Sequence, residues 1–282
     1  MSLHIPYIEE INDFTRQSHK KVRAVCALQV ADKCPKEVCR EYRDIMDIIE
    51  RNDGKYMCIY CSRKLKSTGR NNPNCKYKDL DDDFFSLIDS VFKAYLLGWI
   101  ASDGSIKEGA INIEIKDIDT DIIEILRDNI CKSLPISHRF NGSMNSVKIS
   151  ISSNKIVSDV CGLLDIIPGK KSYTVKFPTS IPDNLKWHFI RGLFDGDGSI
   201  RKIQEHRHTR ECSIASVSQH MKIEISDFCK IKNSINNGAI VYTGINAMIF
   251  LSKMYNNSGI FKLSRKYTEY LKYIDYFGST GI

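Results

Sequence analysis

Two stretches of the chain share one pattern of apolar and polar positions. "YLLGWIASDGSI" runs from Tyr95 to Ile106 and "FIRGLFDGDGSI" from Phe189 to Ile200. Each is an apolar run that predicts a helix, and each stops in an aspartate flanked by small residues. At a shift of 94 positions Gly98 falls on Gly192, Asp103 on Asp197, Gly104 on Gly198, Ser105 on Ser199 and Ile106 on Ile200. "INIEIKDIDTDIIEIL" and "CSIASVSQHMKIEISDF" follow them. Both alternate apolar and polar residues and then change period, which predicts a strand running into a helix. "SHRFNGSMNSVKISIS", with Asn141-Gly142 as a hairpin signal, and "NNGAIVYTGINAMIFLS" predict further strands. The economical reading is an α+β fold of two tandem copies, 86–180 and 181–282, related by a pseudo-twofold axis.

Residues 1–85 lie outside this pattern. "IEEINDF", "HKKVRAVCALQVAD" and "PKEVCREYRDIMDIIERN" predict short helices, with Pro35 in the first turn of the third. A small, mainly helical N-terminal domain is expected. In "CIYCSRKLKSTGRNNPNC", Cys58, Cys61 and Cys75 make three ligands of a structural zinc site, with the fourth open between Cys39, Cys34 and His19. Reduced, metal-free thiols are the other reading. Gly54 to Lys78 carries seven basic residues and no acid, with Tyr56, Tyr60 and Tyr77 among them. That composition suits either a solvated loop or a nucleic-acid contact. Asp79 to Asp83 reads as an acidic linker into the first copy.

Composition narrows the class only a little. A net charge of +7 is compatible with a polyanionic partner. Ten cysteines without an export pattern read as thiols or metal ligands, not as a disulfide framework. The chain opens without a basic segment followed by an apolar run, so an intracellular address is expected. The longest apolar stretch, Ala94 to Ala101, is too short to cross a membrane.

The repeated segments carry the chemistry. Gly192 and Gly196 are four apart and share a helix face, as do Gly98 and Ser102. Small residues at that spacing let two helices approach backbone to backbone. Glycine inside a helix costs about 1 kcal/mol against alanine, a cost that close pairing would justify. Pairing about a twofold axis brings Asp103 and Asp197 together at two negative helix ends. Such a pair calls for a cation, and a hard divalent ion such as Mg²⁺ suits carboxylates with room left for water and phosphate oxygens. A calcium loop of the EF-hand type fails on spacing, because Ile200 stands where glycine is required and His206 where glutamate is.

With those residues in view, "LLGWIASDG" (Leu96 to Gly104) and "IRGLFDGDG" (Ile190 to Gly198) resemble the two motif copies of the LAGLIDADG homing endonucleases. The resemblance covers about Ser86 to Ile282. Two copies in one chain resemble the monomeric, pseudo-dimeric members. The resemblance implies two αββαββα halves whose antiparallel sheets form a saddle over the DNA major groove. It implies intron homing: site-specific double-strand cleavage with Mg²⁺ or Mn²⁺, leaving short 3′ overhangs. Asp103 and Asp197 correspond to the metal-binding acids. Lys171 and Lys266 resemble the late lysines that approach the active sites, with Lys170 and Arg265 as their alternatives. Gln219 and Asp117 match the polar position at the end of the second strand. Ala101 stands opposite Asp195, at a position that is commonly a helix-capping or interface residue in the family.

Sequence reading falls to the strands, where alternate residues share a face. Candidates are Arg201, Lys202, Gln204, Arg207 and Arg210 in the second half, and Lys107, Lys116, Arg139 and Lys148 in the first. The richer second-half segment is expected to grip DNA more. A relative without cutting activity, acting as an intron RNA maturase or a DNA-binding regulator, is the alternative, which loss of both motif acids would favour.

Overall fold

The computed structural model describes residues 21–67, 77–141, 144–169, 173–203 and 210–279. The chain divides into two compact units, Met1–Lys78 and Asp79–Ile282.

In its described residues the first unit mixes strand with helix. β1 (Lys21–Val25) pairs antiparallel with β2 (Glu37–Glu41), Val22 opposite Arg40 and Ala24 opposite Val38. Both strands fall where helices were expected from the sequence. In "KVRAV" burial alternates as on a strand: Val22 and Ala24 are buried while Lys21 and Arg23 face solvent. Only the last part of the third expected helix is helical, as α1 (Tyr42–Glu50), and Pro35 lies in the turn before β2. α2 (Ile59–Ser67) forms inside the basic stretch. "IEEINDF" lies outside the described residues.

The second unit repeats one topology. Its first half is α3 (Val91–Ser102), β3 (Gly104–Lys107), β4 (Ala110–Lys116), α4 (Thr120–Ile130), β5 (Ser137–Asn141), β6 (Met144–Ser152) and α5 (Asn154–Leu164). The other half is α6 (Asp183–Asp197), β7 (Gly198–Ile200), β8 (Glu211–Ala215), α7 (Gln219–Cys229), β9 (Ser234–Ile235), β10 (Ala239–Thr243) and α8 (Ile245–Tyr255). A further helix, α9 (Ser264–Ser279), closes the chain. The sheets run β3-β4-β6-β5 and β7-β8-β10-β9, the same order of equivalent strands. Register is equivalent too: Gly104 pairs with Ile113, and Gly198 with Ile214.

Alternation decides which sheet face is covered. Ile111, Ile113 and Ile115 of β4 and Val147, Ile149 and Ile151 of β6 are buried on the side that α4 and α5 cover, as are Ile122 and Leu126 of α4 and Ile156 and Val160 of α5. Cys212, Ile214, Ile240 and Tyr242 do the same in the second sheet. Serines start three of the helices: Ser90, Ser153 and Ser218 accept from the backbone N–H groups of Lys93, Ile156 and Met221 at 3.3 Å each. α3 is apolar all round because its other faces are covered as well, and that follows from where it packs.

Candidate active site

α3 and α6 cross at their glycines. A Cβ on Gly98 would clash with the Phe189 carbonyl oxygen and lie 2.7 Å from Leu193 N and 2.9 Å from the Gly192 Cα. One on Gly192 would clash with the Tyr95 carbonyl oxygen and lie 3.0 Å from Trp99 N. The contact is therefore backbone to backbone, which explains glycine in mid-helix. One turn on, Gly196 abuts Ser102, and a Cβ there would sit 3.0 Å from Asp103 Oδ2. The Ser102 hydroxyl bonds back to the Gly98 and Trp99 carbonyls at 3.2 and 3.1 Å.

That crossing delivers both motif acids to the same end of the helix pair. Asp103 is the C-cap of α3 and Asp197 the last residue of α6, and both are exposed. Each lines a cleft that the opposite helix also lines. Asp103 opens on a cleft of about 800 Å³ with Gly196, Lys116, Asp119, Arg139 and Arg265. Asp197 opens on a smaller one of about 230 Å³ with Ala101, Ser102, Ser216 and Gly238. The two halves are thus alike in plan and unlike in lining. The first cleft is charged, and the second is mostly apolar.

Beneath the acids lies a buried polar layer. Asp195 accepts from the Tyr95 hydroxyl at 2.7 Å and from the Leu263 N–H at 2.9 Å, both on Oδ2. Its Oδ1 has no hydrogen-bond partner among the described residues. Burial pushes the Asp195 carboxyl up to about 6, against the pull of Tyr95 and Lys266. Lys266 is buried as well, and its ammonium donates to the carbonyls of Phe194, Asp195 and Gly196 at 2.7, 2.8 and 3.4 Å. It caps the end of α6, where positive charge is favourable. Burial lowers Lys266 to about 8; Asp195, Asp103 and Asp197 oppose the fall and Arg265 adds to it. Arg191, fully buried, ties α6 to the segment before α9 through the Phe261 carbonyl at 2.7 Å and to the end of α8 through the Met254 carbonyl at 3.0 Å.

Arg265, not Lys266, reaches the first cleft. Its Nε donates to both carboxylate oxygens of buried Asp119 at 3.0 Å. The Asp119–Arg265 and Tyr95–Asp195 pairs join the two halves and were not foreseen from the sequence. Partners 146 and 100 residues apart leave no local pattern. Asp117 and Gln219 are exposed at the starts of the turn before α4 and of α7, and neither lines the two clefts. Lys171, Gln204, Arg207 and Cys75 lie outside the described residues.

The open face of the first sheet carries Lys107, Lys116, Lys148 and Arg139, as alternation required. Arg139 is paired there with Glu114 at 3.3 Å. In the second sheet, Arg201 is paired with Glu211 at 3.0 Å and Lys202 is exposed. Apart from Glu211, the outward residues of β8 and β10 are uncharged: Ser213, Ala215, Ala239, Val241 and Thr243. Arg210 corrects the sequence reading. It is buried with its guanidinium 3.9 Å from the Tyr276 ring centroid, so α9 has turned inward a side chain expected to face DNA.

In the first unit, the sulfurs of Cys26, Cys34, Cys58 and Cys61 lie within 4.8 Å of one another. Cys39 is exposed and stands apart from this group. Cys26 was missed because its segment was read as a helix. Burial raises the Cys26 thiol, but N–H groups of Cys58, Gln29 and Leu28 outweigh it and bring it to about 6. Burial drives Cys34 up to about 12, and the neighbouring sulfurs add to the rise.

Two αββαββα halves, paired through helices that end in Asp-Gly, give the second unit a LAGLIDADG-type fold. No protein-family model matches the chain, and no curated protein matches it. Among solved structures, the I-LtrWI LAGLIDADG homing endonuclease bound to target DNA aligns over 71% of this chain and 92% of its own, at 13% identity and a TM-score of 0.45. The homing endonuclease I-WcaI bound to its DNA recognition sequence aligns over 69% and 92%, at 14% identity and 0.44. The N-terminal LAGLIDADG domain of DUF199/WhiA aligns over 61% and 88%, at 17% identity and 0.39.

Proposed function

We propose that the protein is a site-specific endonuclease that binds double-stranded DNA and hydrolyses one phosphodiester bond in each strand, leaving short 3′ overhangs. The observation that carries this reading is the delivery of two exposed carboxylates, Asp103 and Asp197, to one end of a glycine-packed helix pair. Asp103 and Asp197 would hold Mg²⁺ or Mn²⁺. Their fit rests on hard oxygen donors, access to open clefts, and a negative helix end behind each. Divalent ions in such a site stabilise the attacking and leaving oxygens of a displacement at phosphorus.

The remaining residues have definable tasks. Lys266 fixes the last turn of α6 and so the position of Asp197. Arg265, held by Asp119, offers positive charge for a phosphate oxygen. Lys107, Lys116 and Lys148 present charge on the sheet face where a duplex backbone would lie. The unlike clefts support unequal cutting of the two strands, the Asp103 side being better supplied with cations.

The test is to challenge randomised duplex libraries in Mg²⁺ and in Ca²⁺ and to sequence the ends. Double-strand cuts at one long site are expected in Mg²⁺, with binding and no cutting after Asp103→Asn combined with Asp197→Asn. Failure of the wild-type protein to cut any library, together with tight binding of intron RNA, would replace this reading with that of a maturase.

A further inference from the structure

Among its described residues the first unit has two small buried clusters. Its apolar core is Val22, Ala24, Ile45 and Tyr56, with Val38, Tyr42, Ile48 and Ile49 partly buried around them. The second of these clusters consists of cysteines: Cys26, Cys58 and Cys61, packed with Cys34, Leu28 and Ala31. A unit this small needs a staple beyond its core.

The four sulfurs are close enough to one another to share one tetrahedral ion. Zinc–thiolate bonds of about 2.3 Å at tetrahedral angles place sulfurs about 3.8 Å apart. Cys34 and Cys58 are 3.7 Å apart, and all four ligand atoms lie within 4.8 Å of one another. Backbone N–H groups of Cys58, Lys36 and Cys61 point at the sulfurs of Cys26, Cys34 and Cys58, each at 3.4 Å. Such bonds orient and stabilise ligating thiolates. Two ligands come from the connection between β1 and β2, and two from the start of α2. One ion would therefore tie the hairpin to the helix.

We infer that Cys26, Cys34, Cys58 and Cys61 bind a single zinc ion as a closed, structural tetrathiolate site, and that this ion is required for the first unit to fold. This assignment leaves no coordination position for Cys39 or Cys75. Four thiolates fill the coordination sphere, so the site holds no open position for substrate.

The experiment uses the full chain purified under reducing conditions. Elemental analysis should find one zinc per chain, and it should stay at one after Cys39→Ser and after Cys75→Ser. Exchange with Co²⁺ should give the visible bands of tetrahedral cobalt bound by four thiolates. This spectrum counts ligands in the wild-type protein, so it holds even where Cys26→Ser or Cys34→Ser fails to fold. Stripping the metal should open 21–67 to limited proteolysis while 79–279 stays resistant. A cobalt spectrum with a nitrogen ligand, loss of zinc on Cys75→Ser, or a metal-free first unit as protected as the loaded one would each overturn the assignment.

Discussion

The Tyr95 hydroxyl donates to Asp195 Oδ2 at 2.7 Å, joining the two halves of the second unit across their helix pair. Asp195 is the residue for which the first motif substitutes Ala101, so the bond exists once, and the pseudo-twofold symmetry is broken at this point. A buried carboxyl raised to about 6 binds its proton more tightly folded than unfolded. Between its ordinary value near 3.8 and about 6, the folded state holds more protons, so stability falls as pH rises through that window. The cost of the carboxylate at neutral pH is roughly 2–3 kcal/mol. In Asp195→Asn the amide oxygen can accept from Tyr95 and Leu263 while staying neutral. Its stability relative to wild type should improve from pH 4 to pH 7. Urea unfolding followed by tryptophan fluorescence reads this cleanly, because both tryptophans, Trp99 and Trp187, are in the second unit. Parallel pH profiles for the two proteins would remove Asp195 as the source.

A second prediction concerns the crossing itself. Gly98→Ala and Gly192→Ala each put a methyl group into a backbone carbonyl of the facing helix. Neither helix can move without breaking the other contact, so a loss of about 3 kcal/mol or more is expected for each. Gly162→Ala is the control. Gly162 lies in α5 with nothing within 4 Å of the added Cβ, so alanine there should be neutral or stabilise by up to about 1 kcal/mol. Melting temperatures of the three variants decide the matter, and a harmless Gly98→Ala would refute the close crossing.

How much of this was readable in advance follows from the range of each interaction. The duplicated "DGSI" segments, the alternation of "INIEIK" and the glycine spacing are local, and they led to the two halves, the strand faces and the helix pair. The first unit was misread because "KVRAV" is too short to separate a strand from a helix by period. Cys26 was lost with it. The roles of Lys266 and Arg265 could not be separated because adjacent basic residues look alike in sequence. Only α6 and Asp119, packed against α9, distinguish them.

That distinction is itself testable. Lys266→Met removes the donor to three carbonyls at the end of α6, and the second unit should lose about 2 kcal/mol, or roughly 4–8 °C in melting temperature. Because burial lowers Lys266 to about 8 from 10.5, wild-type stability should gain as pH rises between those values, where the unfolded state holds more protons. The variant should lack that gain. Arg265→Gln should shift the melting temperature by less and reduce cleavage more, since its guanidinium is half-exposed in the cleft. Equal thermal losses in both variants would show that Lys266 has no special structural part.

The last prediction separates surface from core among the basic residues. Each lysine that neutralises a DNA phosphate contributes about 0.9 to the slope of log affinity against log salt. Lys107, Lys116 and Lys148 lie on the open face of the first sheet, so changing all three to glutamine should reduce the slope by about 2–3. Glu114→Gln should act in the opposite sense. It removes the carboxylate that holds Arg139 at 3.3 Å, so Arg139 becomes available to a phosphate and nonspecific affinity should rise. Arg210→Gln should leave the slope unchanged while lowering stability, because that guanidinium packs on Tyr276 and away from solvent. Fluorescence anisotropy with a labelled duplex across a salt series gives all three readings in Ca²⁺. A triple-lysine variant with an unchanged slope would move the duplex off the first sheet altogether.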